Sequence, residues 1–208
     1  MDLLRAREQH QRQATMVGAT VTVLVPTIPP RREMLGRALL SVMTQHHLPD
    51  MVMVGVDNER LGAAKNRNRM LPWVSTDWVA FLDDDDELLP NHLLVLLQNS
   101  SDADVIYTGC TVIGPQGQDL GYHEEWGRYG KPFSENLLRK KSYLPVTSLV
   151  RTHLAKLSSF QAPPGSEYDD WGFYLGLLDQ GARFKHVPQK TWIWHHHGAN
   201  SSGRPDRW

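Results

Sequence analysis

Asp83, Asp84, Asp85 and Asp86 stand in one run, with Glu87 behind them, directly after the apolar stretch Trp78-Val79-Ala80-Phe81-Leu82. That stretch has the length and content of a buried parallel strand, so carboxylates gather where a strand ends. Like charges packed so closely repel and push some of their pKa values up unless a cation sits among them. A divalent ion bound through oxygen, Mg²⁺ or Mn²⁺, meets that need and keeps positions open for water and for the phosphates of a nucleotide. The competing reading is an acidic turn that caps the next helix. It suits Asp86 and Glu87, which precede Leu88-Leu89-Pro90-Asn91-His92-Leu93-Leu94, because carboxylates favour the positive end of a helix. Capping leaves Asp83 and Asp85 unexplained.

The elements that would position this loop read as strand, helix, strand, helix, strand. A β-branched run at 21–25 is stopped by Pro26, and a helical pattern over 31–45 puts Leu35, Leu39, Val42 and Met43 on one face. A second buried strand over 51–56 ends at Asp57-Asn58, and Leu61 to Met70 opens a second helix. This order predicts an α/β fold with a mostly parallel, Rossmann-like central sheet flanked by helices, whose ligands bind beyond the carboxyl ends of the strands. Pro26-Thr27, Asp57-Asn58 and Asp83 to Asp86 each sit at such an end, so three separated segments converge on one crevice.

Beyond the acidic run we expect a helix to about residue 98, a strand over 104–108 and a hairpin turn at Pro115-Gln116-Gly117-Gln118. Residues 120–142 are polar and aromatic, with Tyr122, His123, Trp126 and Tyr129, a makeup that suits a binding loop or rings packed on the core beneath. A strand near 146–151 and a short helix follow. Asp169-Asp170-Trp171 leads into an amphipathic helix through Leu175, Leu177 and Leu178 that stops at Gly181, then a strand over 183–187 and the close Trp192-Ile193-Trp194-His195-His196-His197.

A chain of 208 residues can bury a full core. We read residues 1–18 as an N-terminal tail or solvated helix and 19–208 as a single domain, with a nucleotide-binding half at 19–113 and an acceptor-binding half at 114–208. Net charge is -1 and the pI near 6.8, so no global field draws the protein to nucleic acid or anionic lipid. The lone cysteine, Cys110, excludes an internal disulfide framework, and no stretch approaches the roughly 20 apolar residues of a membrane span. Both point to a cytoplasmic protein.

Taken together, Val25-Pro26-Thr27, Val56-Asp57, Gly62 through Arg67-Asn68, Asp83-Asp84-Asp85-Asp86, Asp169-Asp170-Trp171 and His197-Gly198-Ala199-Asn200-Ser201-Ser202 resemble, in order and spacing, the motifs of a family 2 glycosyltransferase with the GT-A fold, in compact form. The resemblance covers roughly residues 21–202. Two positions depart from the family pattern: Asp169 stands where Glu is usual, and Asp57-Asn58 where Asp-Asp is commoner. Both keep oxygen acceptors.

The resemblance implies a metal-dependent, inverting transfer of a sugar from a nucleotide-sugar to an acceptor hydroxyl. Asp85 would bind Mn²⁺ or Mg²⁺, Asp83 would face the ribose or share the metal, and His197 would complete the metal site; an ordinary polar strand end is the alternative for the other two histidines. Asp170 would be the general base with Asp169 as its neighbour, although either could cap the helix that follows. Pro26, Thr27, Asp57, Arg67, Asp83 and Asp84 would contact the nucleotide-sugar. There Asp57 would accept from the base edge, read as the uracil N3–H of a UDP-sugar, with GDP-sugars the runner-up because guanine also offers ring and amino N–H donors, and dTDP-sugars a further alternative. Arg67 would lie against the diphosphate or ribose unless it is a solvated helix residue like Lys65 and Arg69. Trp126 and Trp171 could form acceptor platforms, with core packing the alternative for Trp171. The acceptor itself is not encoded in these motifs. Other classes are a nucleotidyltransferase, which expects a Gly-rich basic loop where Pro26-Thr27-Ile28-Pro29-Pro30 stands, and a non-catalytic nucleotide-sugar-binding module.

Overall fold

The computed structural model describes residues 18–120 and 129–197. The expected N-terminal tail, the loop residues Tyr122, His123 and Trp126, and the closing residues Asn200 to Ser202 lie outside the described residues.

One mixed sheet organises the molecule: β1 (Val21–Thr27), β2 (Met51–Val56), β3 (Trp78–Phe81), β4 (Glu87–Leu88), β5 (Val105–Ile113), β6 (Ser148–Arg151) and β7 (Phe184–His195), in the order β2-β1-β3-β6-β5-β7-β4. Strand β1 is parallel to β2 and β3, and β5 is parallel to β7, while β6 and β4 run against their neighbours. Five strands therefore share one direction, as expected for a Rossmann-like α/β sheet. Helices α1 (Arg32–Met43), α2 (Ala63–Met70), α3 (His92–Gln98), α4 (Glu135–Leu138), α5 (Thr152–Ala155) and α6 (Asp169–Asp179) accompany it.

Every residue of β1 and β3 is buried, and alternate side chains feed two cores. Val21, Val23, Val25, Ala80 and Leu82 pack with Ala38 and Val42 of α1 and Leu93 and Leu96 of α3, whereas Leu24, Val79 and Phe81 pack with Met70, Leu138, Phe173 and Leu177. A strand covered on both faces reads as an unbroken apolar run, which is why these strands were legible. Each fully buried Val, Leu or Phe contributes about 1.5–3 kcal/mol.

Strand β2 corrects the expectation of a buried strand: Met51, Val54 and Val56 are 42%, 39% and 43% exposed. It ends the sheet with β1 as its neighbour, and apolar composition does not distinguish an edge from a centre. Met43, expected on the buried face of α1, is exposed, and the helix buries Ala38, Ser41 and Val42 instead. The turn at Pro115–Gln118 forms as expected, with Gly114 N–H donating to Gln118 O at 2.8 Å and Gly117 at φ 79°. Gly181, at φ 78°, stops α6.

Strands β5 and β7 extend well past the lengths expected of them. Their pairing skips register around Gly109 and then carries Cys110 to Ile113 alongside Trp192 to His195. This irregular pairing returns the histidine-rich end of the chain to the acidic loop.

Candidate active site

The acidic loop begins where β3 leaves the sheet, and its turn is closed by Asp86 N–H donating to Asp83 O at 3.1 Å. Asp84 is buried and both of its oxygens are taken: Thr27 Oγ1 donates to Oδ2 at 2.7 Å, and Arg31 NH1 donates to Oδ1 at 2.7 Å. Asp84 was expected among the nucleotide contacts, and it turns inward to fasten the loop to the end of β1. Asp83 pairs with Arg67 NH2. Asp85 Oδ2 lies 3.1 Å from His197 Nε2 and 3.3 Å from Arg31 NH1. The two residues expected to share a metal, far apart in sequence, are thus brought into contact.

Asp86 and Glu87 do not cap a helix. Glu87 and Leu88 form β4, paired with Ile193 and Trp192, and α3 starts only at His92. Asp86 Oδ1 accepts His195 N–H at 3.0 Å, and Glu87 Oε1 meets His195 Nε2 at 2.8 Å. Long-range strand pairing has claimed residues whose local sequence suits a helix start.

Burial and the neighbouring charges of Asp85 and Asp83 push Asp86 well above the usual carboxylate range. Burial also raises Asp83 and Asp84, against the opposing charges of Arg67 and Arg31. Burial acts to raise Asp85 too, but the His197 hydrogen bond and the Arg31 charge hold it below its ordinary value. Arg67 loses favourable hydration by burial and is nevertheless kept charged, its pKa raised by Asp83 and Asp169. Four aspartates crowd against two arginines, one of which is shared with Asp169, and a divalent cation relieves such crowding of like charge.

Carboxylate oxygens of Asp83, Asp85 and Asp86 all lie within 4.8 Å of one another. A compact all-oxygen set of this kind fits Mg²⁺ or Mn²⁺, and His197 offers a nitrogen beside Asp85.

At the neighbouring strand end, Asp57 N–H donates to Thr27 O at 2.8 Å, so Asp57, Thr27 and Asp84 form one connected row. Asp57 is 2% exposed, and its Oδ2 accepts Gly62 N–H at 2.8 Å. Its Oδ1 is buried and has no hydrogen-bond partner among the described residues. A buried acceptor left this way costs about 1–3 kcal/mol, which a ligand N–H would relieve.

The second acidic pair opens α6. Asp170 Oδ1 accepts Trp171 N–H at 2.8 Å, and Asp169 lies 3.8 Å from Arg67 NH1. Arg67 is buried, which excludes the solvated alternative; it bridges Asp83 to Asp169 and stands over the Phe160 ring at 5.1 Å. Asn68 pins the same segment, donating to Phe160 O at 2.9 Å and accepting Phe160 N–H at 2.8 Å. Helix α6 can lie flat on this segment because Gly172 and Gly176 face it; an added Cβ would overlap Gln161 O at the first and Ser158 Oγ at the second. Trp171 is half-buried against the second core, its indole N–H donating to Leu138 O at 2.6 Å. Trp126 lies outside the described residues.

Arg31 takes part in this network and was not singled out from the sequence, while Asn68, Asp86 and His195 were named there, within a motif, as a helix cap and as part of the histidine run, without the partners they meet here. Arg31 opens the helical pattern read over 31–45, and Asn68 stands in the motif with Arg67, but neither place names a partner.

Residues 38–152, more than half of the chain, match the family model described as glycosyl transferase family 2. No curated protein sequence matched the chain. Similar solved structures include S. aureus TarS 1-349 (TM-score 0.64, 17% identity, covering 85% of this chain and 60% of that one). The same TarS segment in complex with UDP-GlcNAc (TM-score 0.63, 18% identity, 85% and 58% covered) and in complex with UDP (TM-score 0.62, 16% identity, 86% and 61% covered) is also similar. The chain thus spans about three-fifths of the length of those structures, and the likeness establishes a GT-A fold. With the family model spanning β2, Arg67 and the whole acidic loop, the chain belongs to glycosyl transferase family 2.

Proposed function

We propose that this protein transfers a sugar from a UDP-sugar to an acceptor hydroxyl with inversion at the anomeric carbon, aided by Mn²⁺ or Mg²⁺. The observation that carries this reading is the row from Asp57 through Thr27 to the acidic loop. It sets a buried acceptor that lacks a donor beside three carboxylates whose oxygens lie within 4.8 Å of one another. The similar TarS structures in complex with UDP and UDP-GlcNAc support the uridine choice over GDP- and dTDP-sugars.

Asp83, Asp85 and His197 would hold the ion, with Asp86 as a further oxygen donor. Bound there, it would supply positive charge against the negative charge that develops on the departing diphosphate. Asp57 accepts from the uracil N3–H. Asp84, held by Thr27 and Arg31, keeps the loop at the end of β1, where Pro26 and Thr27 contact the nucleotide-sugar. Arg67 lines the same wall and fixes Asp83. Asp170 takes the proton of the acceptor hydroxyl as that oxygen attacks the anomeric carbon, and the bond to the diphosphate oxygen breaks with its electron pair on the leaving group. Attack opposite the leaving group inverts the centre. Asp169 tunes Asp170, residues 114–208 supply the acceptor side, and Trp126 and Trp171 border it.

No helix among the described residues is long and apolar enough to cross a membrane. The single cysteine, Cys110, fits a reducing compartment, and on that ground we propose a cytoplasmic location.

A hydrolysis screen of UDP-, GDP- and dTDP-sugars tests the reading without knowledge of the acceptor. We expect release of UDP from at least one UDP-sugar with Mn²⁺ or Mg²⁺ and none in excess chelator. Release confined to GDP-sugars, or undiminished by chelator, would overturn it.

A further inference from the structure

Arg31 was not among the residues expected to do chemistry, yet its guanidinium reaches two consecutive carboxylates of the acidic loop. NH1 lies 2.7 Å from Asp84 Oδ1 and 3.3 Å from Asp85 Oδ2. The side chain is only 14% exposed. Its backbone is set by a single 3-10 turn over Pro29–Arg31, in which Arg31 N–H donates to Ile28 O at 3.0 Å. The two contacts differ in kind. Asp84 is the anchor, its other oxygen held by Thr27, while Asp85 Oδ2 is the oxygen that also faces His197 Nε2 at 3.1 Å.

We infer that Arg31 is a positioning residue that serves as a tethered counter-cation: it holds Asp84 and Asp85 in place when no metal is bound, and it competes with the metal for Asp85 Oδ2. This inference rests on the metal reading above. A guanidinium stays charged at every pH the fold survives, so deprotonation cannot end the competition; a divalent ion can, because it carries the larger charge. The shorter bond to Asp84 lets Arg31 remain docked while its longer contact to Asp85 opens. The arrangement trades metal affinity for a loop that keeps its shape between ions. Arg67 differs, since its second partner, Asp169, ties it away from the loop.

Calorimetric titration with Mn²⁺ alone, beside thermal melts with and without Mn²⁺, tests this on wild type, Arg31→Gln and Arg31→Lys. Arg31→Gln keeps a hydrogen-bond donor and loses the charge. It should melt lower than wild type without metal, bind Mn²⁺ tighter by about tenfold or more, and regain most of the lost melting temperature in saturating Mn²⁺. Arg31→Lys keeps the charge but ends one atom short of the NH1 that makes both contacts, so an ammonium held by Asp84 reaches Asp85 less well, and Mn²⁺ should bind about threefold tighter. Should Arg31→Gln fail to fold, the Lys variant decides alone. Mn²⁺ binding that is equal in all three proteins, or weaker in the variants, overturns the inference and leaves the metal reading standing. Absence of Mn²⁺ binding in all three overturns the metal reading and this one with it, whereas binding by Arg31→Gln but not by wild type supports Arg31 as the competitor.

Discussion

Two groups of carboxylates flank Arg67, and the fold buries most of one and leaves the other partly open. On one side, Asp84, Asp85 and Asp86 are 3%, 7% and 4% exposed, and Thr27, Arg31, His197 and the His195 backbone each take one of their oxygens, while Asp83 beside Arg67 is the loop's one open member, its side chain 35% exposed. On the other side, Asp169 and Asp170 open a helix, with the Asp169 side chain 32% exposed. Groups meant to hold a charged ligand gain from being immobilised before it arrives, because their ordering cost is already met by the fold. A group meant to take a proton from an incoming hydroxyl has to remain reachable. The contrast between a fastened loop and an accessible pair is what we would expect of one site with a donor side and an acceptor side.

The comparison breaks most completely if the fastened loop does not need its ion. Asp85→Asn should abolish turnover while the protein stays folded, with a melting temperature at or slightly below that of wild type because the His197 and Arg31 contacts that hold Asp85 ionised are weakened; excess chelator on wild type should also abolish turnover. The accessible pair gives the next largest effect. Asp170→Asn keeps the shape and removes the proposed base, so transfer should fall about 10²- to 10⁴-fold with UDP affinity unchanged by calorimetry, and Asp169→Asn should be milder.

Arg67 joins the two groups, so its removal should unsettle both at once. Arg67→Met leaves Asp83 and Asp169 facing each other without their shared cation and should cost about 3–5 kcal/mol in urea unfolding. A loss under about 1 kcal/mol would mean the guanidinium behaves as a surface charge.

The smallest effect sharpens any pH comparison. His92 is 1% exposed, its Nδ1 meets Thr191 Oγ1 at 2.7 Å, and burial pushes its pKa down to about 3. The unfolded chain therefore binds a proton below about pH 6.5 that the folded chain refuses, and stability falls as pH drops from 6.5 toward 3. Between pH 7 and 5 wild type should lose about 2 kcal/mol more than His92→Asn in urea unfolding. That contribution has to be subtracted before the response of the acidic loop is read.

What the sequence disclosed follows the same physical divide. Strands β1 and β3 and the loop behind them were legible because burial on both faces and four adjacent charges leave strong local marks. The edge position of β2, the pairing of Glu87 with Ile193 and the full lengths of β5 and β7 were not, since each depends on a partner far along the chain. Among the site residues, Asp83 and Asp85 stood out by type and spacing, and His197 through the family resemblance. Arg31 did not, because an arginine after two prolines carries no sign of which carboxylate it will meet, and Asp86 was misread because its local sequence suits a helix cap.

The central claim is that the loop holds the donor through a divalent ion. Calorimetric titration of UDP into wild type tests it most directly, once with Mn²⁺ and once in excess chelator. The account predicts binding that weakens at least tenfold on chelation, the ion being the main neutraliser of the diphosphate, and equal affinity under the two conditions would contradict it.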